Sequence, residues 1–581
     1  MKNKNVLIIT SIILIIIILY FSYIAFFKDD NDNKSLKVED IDTFINTDDD
    51  DLDISWDKYE TFEKVLVESI TINEGGIYIL SGSINDGNVT VNTSDNVKLI
   101  LNNVNIKNSN GPAIIIEKAE TTVIYLEENS ENYLEDGSTY SNLYDEINGV
   151  IYSKDDLVFD GIGKLTIVSN YKDGIVSKDD LKFINGFYSI TSIDESILGK
   201  DSVYILDGSF DINSSGDSIK TTNQEDVEKG FILIENGTFN IESELDGISA
   251  VTKLVINNGK FNITTGGGSK NDSTQEDWGN FGNRRPGYDH NNDTTSAKGL
   301  KSSDNLVISN GNFILNTADD AIHSNNYVGI TNGIINISSG DDGIHADKEI
   351  IIDNGDIDIS KSYEGIESSR ITINGGNISL VANDDGINIA GGMDSSSMSR
   401  PGANNYSKDS DNILIINNGT IYVNAVGDGI DINGSGYIYG GNVTVDGPTN
   451  NGNSSLDYDR EFVVNGGIFI AAGSSGMMQS ISSSSTQYNV AISFDSIYED
   501  KNISIVDSNN DEIISYSPKK RFSSIIISSN NFIKDKKYTI KVNDEDYSTF
   551  EIENITTTVG KVSFGGHGGP NGPNGPGSPR R

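Results

Sequence analysis

Residues 340–346 read GDDGIHA, residues 318–324 read ADDAIHS 22 positions earlier, and residues 383–388 read NDDGIN with their acids 43 positions on. The shared pattern is an acid pair, a small residue, an isoleucine and a polar residue. Following the small residue along the chain gives Gly149, Gly174, Ser196, Ser218, Gly247, Gly299, Ala321, Gly343, Gly365, Gly386 and Gly429. Most gaps are 21 or 22 residues, and the long gaps of 52 and 43 are one period plus an insert, at 264–297 and 391–411. A second marker, Asn-Gly or a close variant, keeps the same beat at Gly186, Gly208, Gly237, Gly259, Gly311, Gly333, Gly355, Gly376, Gly419 and Gly441. Two markers in phase identify an internal repeat.

Each period holds three short runs with polar turns between them. In 343–364 they are GIHA, KEIIID and GDIDIS. Apolar and polar residues alternate within the runs, as in strands with one buried face. Three strands and three turns in 22 residues leave no room for a helix. One period is therefore one coil of a parallel β-helix, whose stacked coils bury an apolar column and satisfy backbone groups from coil to coil. Parallel crossovers are right-handed almost without exception, which sets the expected hand. The fold expected is all-β: a right-handed parallel β-helix of about 22 residues per rung over 71–470. A small β unit over 471–563 follows, and its runs NVAISF, NISIVD, SIIISS and KYTIKV read as antiparallel strands that close the solenoid's open edge. GSSGMMQSISSSSTQ (473–487) reads as a loop, and the Gly/Pro-rich tail 564–581 as a flexible end.

The N-terminus carries an address. VLIITSIILIIIILYFSYIAFF (Val6–Phe27) is an uncharged run of 22 residues, long enough as a helix to cross a bilayer core. Lys2 and Lys4 precede it, and Asp29 and Asp30 follow Lys28, so the positive-inside rule places the rest of the chain outside the cytoplasm. Residues 1–27 are expected to be a cytoplasmic stub and a transmembrane anchor or signal, and 28–70 an acidic stalk. The chain is then displayed on the outer face of the cell membrane, or secreted if the segment is cleaved. With 86 acids against 42 bases and a net charge of −44, the surface repels phosphate, which excludes nucleic acid as a partner. Cysteine is absent, which excludes disulfides and thiolate metal sites. A monomer is expected.

The residue before the small marker runs Asn148, Asp173, Glu195, Asp217, Asp246, Lys298, Asp320, Asp342, Glu364, Asp385 and Asp428. Equivalent positions stack in a β-helix about 4.8 Å apart. Neighbouring unit charges at that distance repel by about 1 kcal/mol in water and about 3–4 kcal/mol at an effective dielectric of 20. Two arrangements relieve this. The acids can bond turn amides and point to solvent, or they can share a hard cation, for which carboxylates and turn carbonyls are the ligand set. The metal reading places Ca²⁺ on Asp217, Asp319, Asp320, Asp341, Asp342, Glu364, Asp384, Asp385 and Asp428.

Two positions after the marker the column runs Ile151, Val176, Leu198, Lys220, Ser249, Lys301, His323, His345, Glu367, Asn388 and Asp431, turning from apolar to polar at Lys220. His323 and His345 should stack on adjacent rungs. The column is either a solvated polar ladder or a strip with chemistry, in which Lys301 or Lys220 acts as a base beside a metal-bound uronate. The insert 264–297 carries Trp278, Phe281, Arg284, Arg285, Tyr288 and His290 among Gly, Asn and Asp. Aromatic faces stack on sugar rings and Arg grips carboxylates in a bidentate manner, so Trp278, Phe281, Arg284, Arg285, Tyr288 and Lys301 are the candidate carbohydrate contacts. The second insert offers Arg400, Tyr406 and Lys408.

GGGS (266–269), the Trp-bearing insert, SAKGLKS (296–302), the DGI rungs and FVVNGGIFIAAGSSGMMQ (462–479) together resemble a clostridial-type carbohydrate-binding domain family over roughly 70–560. The resemblance implies a β-helix shaped like those of polysaccharide lyases, an association with calcium, and binding to cellulose or acidic, polyuronate-class polysaccharide. Binding is the expected function. The alternatives are a polysaccharide lyase or hydrolase on the same rod, using Lys301, His323 and His345, and a structural adhesin or stalk.

Overall fold

A computed structural model describes residues 36–41, 54–141, 144, 146–270, 296–390 and 412–561. The N-terminal apolar run, Trp278, Phe281, Arg284, Arg285, Tyr288, the second insert and the 564–581 tail lie outside the described residues. No helix among the described residues is long and apolar enough to cross a membrane.

The described chain is all-β, and its strands stack in parallel, coil on coil. Three ladders run through the body. In the first, Ile322–Ser324 pairs with Leu300–Ser302 on one side and with the start of Ile344–Ile352 on the other. In the second, Tyr327–Ile330 pairs with Asn305–Ile308 and with the end of Ile344–Ile352. In the third, Ile334–Ser339 lies between Asn312–Thr317 and Asp356–Lys361. This is the arrangement of a parallel β-helix, with the register set by the 22-residue spacing of the repeat. Because pairing is in register, each isoleucine after the small marker stacks on the next. Ile197, Ile219, Ile248, Leu300, Ile322, Ile344, Ile366, Ile387 and Ile430 are all fully buried.

The two sequence markers have separate physical causes. At the Asn-Gly turns the glycine takes a left-handed backbone, as at Gly237 with φ 141°, which disfavours any side chain. A Cβ there would also sit 2.8 Å from the ring of Phe239. That ring belongs to a column in which Phe210, Phe239, Phe261 and Phe313 lie parallel at centroid spacings of 4.9, 4.7 and 4.6 Å. Stacked pairs of this kind add about 0.5–1.5 kcal/mol each beyond their burial. The small residue of the DGI motif answers to crowding instead. A Cβ on Gly343 would lie 2.6 Å from the carbonyl oxygen of Gly365, its equivalent one coil on.

The ladders extend past both ends of the recognisable repeat. Thr61–Leu66 already pairs in parallel with Gly76–Ile84, so the solenoid starts inside the stretch read as a stalk. At the other end Asp457–Tyr458 continues the first ladder without a DGI motif. The antiparallel unit expected after 471 is present. Phe522–Ser529 runs antiparallel to Ile468–Gly473 and covers the last edge of the third ladder. The serine-rich stretch does a similar job for the second. Ser482 Oγ accepts the Phe462 amide at 2.9 Å and Ser485 Oγ accepts the Val464 amide at 3.0 Å, where another coil would have supplied carbonyls. Residues 37–41 form a short strap on the outside of the solenoid. Val38 and Ile41 are buried there against Gly329, and the Val38 amide donates to Asp353 Oδ2 at 3.1 Å.

Candidate functional site

The acid column stacks as the repeat requires, but it does not form an exposed ridge. Asp173, Asp217, Asp246, Asp320 and Asp342 are buried. Each of these carboxylates accepts the backbone amide of its equivalent on the following coil. Glu195 donates to Asp173 at 3.3 Å, Asp246 to Asp217 at 2.9 Å, Lys298 to Asp246 at 2.8 Å, Asp342 to Asp320 at 3.0 Å and Glu364 to Asp342 at 3.2 Å. Above the second insert Asp385 accepts from Asp428, and Asp428 accepts from Ser454. The turn amides left open by the bend between ladders are thus closed by side chains. An Asp before the small residue serves the backbone of the next coil rather than its own, and this satisfies a buried donor that would otherwise cost about 1–3 kcal/mol.

The column two residues after the marker projects from the same side and meets the acids. Lys220 Nζ lies 2.7 Å from Glu195 Oε1 and 2.9 Å from Asp217 Oδ2. Burial opposes its charge, but those two carboxylates prevail and its pKa is raised. Lys301 Nζ reaches Asp246 Oδ2 at 2.8 Å and Ser296 Oγ at 3.0 Å. Lys298, which takes the place of an acid in the column itself, is buried between Asp319 and Asp320. Burial favours the neutral form of Asp320, yet Lys298 and His323 outweigh it and hold this carboxyl well below the usual range.

His323 and His345 stack as expected, with ring centroids 5.0 Å apart. His323 Nδ1 lies 2.8 Å from Asp320 Oδ2, and His345 Nδ1 lies 3.1 Å from Asp342 Oδ2 and 3.5 Å from Glu367 Oε2. Burial works against charge on His345, but Asp342 and Asp347 overcome it and raise its pKa well above the ordinary histidine value. From Asp217 to Asp342, then, protein cations neutralise the ladder. The residues proposed as general bases are bound to carboxylates within it. Three groups in this region bring ligand atoms within 4.8 Å of one another: Asp320, His323 and His345; Asp342, His345 and Glu367; and Asp319, Asp320 and Asp341.

Past His345 the composition changes. Among the described residues, no lysine, arginine or histidine pairs with Glu364, Asp385, Asp428 or Asp431. All four are half-buried. Burial, reinforced by Glu367, Asp342 and Asp385, pushes Glu364 well above the carboxylate range. Burial and the charges of Asp431, Asp384 and Asp428 do the same to Asp385. Burial with Asp428 and Asp457 lifts Asp431 to about 8, and burial lifts Asp428 to about 7 against the pull of the Ser454 amide. Glu367 is raised to about 9, first by burial and then by Asp342, although His345 opposes the shift. Asp341, the second acid of its pair, reaches about 10 through burial and the charges of Asp342, Asp320 and Asp319.

Asn388 sits on the coil between Glu367 and Asp431, 6% exposed. Its Nδ2 donates to Glu364 Oε2 at 2.6 Å, while its Oδ1 is buried without a hydrogen-bond partner. An amide oxygen left open beside carboxylates makes an all-oxygen donor set, the kind that hard divalent cations take. Sequence reading put Glu364, Asp385 and Asp428 in this set but omitted Glu367, Asn388 and Asp431. The signal was present, since the column after the marker changes there from lysine and histidine to oxygen ligands alone. Of the candidate sugar contacts, Lys301 is the one within the described residues, and it is held by the ladder.

Residues 67–343 match a family described as carbohydrate-binding domain-containing protein. A carbohydrate-binding domain-containing protein of Acetivibrio thermocellus is 37% identical over 203 residues, which cover 34% of this chain and 71% of that relative. A solved structure described as the polysaccharide lyase-like protein from C. thermocellum, a gadolinium derivative, matches with 31% identity and a TM-score of 0.34, over 36% of this chain and 90% of that one. With a relative of this similarity covered over most of its length, the chain belongs to the carbohydrate-binding domain-containing family.

Proposed function

We propose that the chain is a cell-surface carbohydrate-binding protein that takes acidic polysaccharide through calcium held at the cation-poor end of the ladder. The observation that carries the reading is the unpartnered Asn388 Oδ1 among Glu364, Glu367, Asp385 and Asp431. Buried carboxylates whose charge is not fully balanced either stay protonated or coordinate a metal. Glu364, Asp385 and Asp431 are half-buried rather than sealed, so a cation can reach them from solvent, while Glu367 is buried behind them. Bound calcium would supply the local positive charge that a chain of net charge −44 otherwise lacks, and a uronate carboxylate could then approach. Glu364, Glu367, Asp385, Asp431 and the Asn388 amide oxygen are the residues that would hold it. The apolar run Val6–Phe27 supports display outside the membrane.

The test is binding of the full chain to polygalacturonate in millimolar calcium and in excess chelator. Retention in calcium and loss in chelator are expected, with Asp385→Asn and Asp431→Asn abolishing the difference. Equal binding in both buffers refutes the calcium role.

A further inference from the structure

A different face of the solenoid has the chemistry of a sugar site. At the corner of the Asn-Gly turns an open groove of about 670 Å³ crosses several coils towards the C-terminal unit. That volume lies within the range of small-ligand clefts, about 300–1,000 Å³. Asn377, Thr420 and Asn442 stand on successive coils of the third ladder and point outward into it. Asn530, just after the strand Phe522–Ser529, forms part of its wall. Its floor is bare because Gly441 and Gly467 have left-handed backbones, at φ 82° and 75°, and carry no side chain.

Two observations point to a ligand. First, no charged side chain lines the groove, although the sequence holds 86 acids and 42 bases. Apart from Ile468 the lining is amide, hydroxyl and backbone, and among the described residues no hydrogen bond engages the side chains of Thr420, Asn442 or Asn530. Second, Tyr439 stands two residues before Gly441, outside the lining itself, with 41% of its surface exposed. Its ring is nearly parallel to that of Tyr437, at 8° and 6.3 Å between centroids. Amides pair with vicinal hydroxyls through one donor and one acceptor, and an exposed aromatic face packs on the apolar face of a sugar ring. Coils repeat about every 4.8 Å, comparable to the length of one sugar residue, so a chain laid along the axis meets equivalent groups in turn.

We propose that this groove binds an uncharged, hydroxyl-rich glycan chain, separately from the acid ladder. The proposal rests on the carbohydrate-binding reading but not on calcium. A polyuronate is a poor fit, because the groove holds no cation and Asp356 borders it, accepting from Asn377 at 2.7 Å.

The experiment is native affinity electrophoresis of the full chain in excess chelator, with hydroxyethyl cellulose or polygalacturonate in the gel. The wild type should be retarded by the neutral glucan. Asn442→Trp, which fills the groove, and Tyr439→Ala should each weaken that retardation by about tenfold, the worth of one or two hydrogen bonds or a stacked ring. Tyr439→Phe keeps the face and should bind like the wild type. Unchanged melting of each variant shows that the fold survives, and Thr420→Trp gives a second obstruction should Asn442→Trp not fold. Neutral-glucan binding that survives every groove variant overturns the proposal, and so does retardation by polygalacturonate alone, which leaves the carbohydrate-binding reading standing. No retardation by either glycan, together with no polygalacturonate binding in calcium, overturns both.

Discussion

Removing divalent cations and raising the pH from 5 to 7 should destabilise the full chain. Among the groups responsible are Asp428, Asp431 and Glu367, whose folded pKa values are raised to about 7, 8 and 9, with Asp173 and Asp341 raised to about 8 and 10 and Asp136, Asp179 and Asp194 to about 6 acting in the same direction. In the unfolded chain ordinary carboxylates titrate near pH 4. Between those limits the native state holds more protons than the unfolded state. The stability these groups contribute is therefore complete below about pH 4 and is lost as the pH climbs through their folded values. His345, raised above its ordinary value, acts in the same direction. Asp320, Glu195 and Asp201 are shifted down, so their contribution is lost only as the pH falls below the ordinary carboxylate range, outside this window. Counting the cluster as a single shared proton gives a slope of about 1.4 kcal/mol per pH unit, or about 3 kcal/mol between pH 5 and 7. Urea midpoints followed by circular dichroism in chelator read this directly. Calcium should reverse the slope, because it binds the deprotonated carboxylates and stabilises by mass action at pH 7 while protons compete at pH 5. Asp385→Asn combined with Asp431→Asn should make the chelator curve shallower and raise it at pH 7. Midpoints in chelator that hold level or rise from pH 5 to 7 would refute the reasoning.

Lys298→Met should cost about 3–5 kcal/mol at pH 7, because it takes the lysine from Asp319 and leaves the buried Asp320 with His323 alone, and a denaturation midpoint measures it. Gly329→Val places a Cβ where Ile41 and Val38 now stand 2.7 and 2.8 Å away, so hydrogen exchange at 38–41 should rise sharply while 327–330 stays protected. Ser482→Ala with Ser485→Ala strands the Phe462 and Val464 amides at about 1–3 kcal/mol each, and exchange within 461–464 should quicken first.

The solenoid was legible because a β-helix converts sequence period into spatial register. Gly237 and Gly343 mark the beat for different reasons, one a backbone angle and the other a carbonyl approach, yet both recur every coil. The ends were less legible, because a capping coil needs no successor. Ser454 stands where an acid would be, and Ser482 and Ser485 replace a strand with hydroxyls, so neither carries the repeat. The acid column was found by spacing alone, but its environment was misjudged. From sequence, Asp320 and Asp342 stand either at a solvated turn or on a calcium site, whereas in the fold the turn closes over them and each accepts the amide of the next coil. Pairing between the two polar columns, Lys301 with Asp246 and His323 with Asp320, depends on which side of a short strand each position faces. The repeat period does not encode that.

The strap at 37–41 has a kinetic consequence. Val38 bonds to Asp353 across 315 positions of sequence, while the coils it leans on are each joined to neighbours only about one period away. Solenoid coils can form in succession from contacts about one period apart. The strap cannot. It leaves the ribosome well before those coils, but its seat at Gly329 and Asp353 exists only after the coils through Asp353 have been synthesised and stacked. Closure of so long a loop carries an entropic cost until the intervening coils have already shortened it. Burial of Val38 and Ile41 is therefore among the last events of folding, and an early part of the nascent chain reports on the completion of a much younger one.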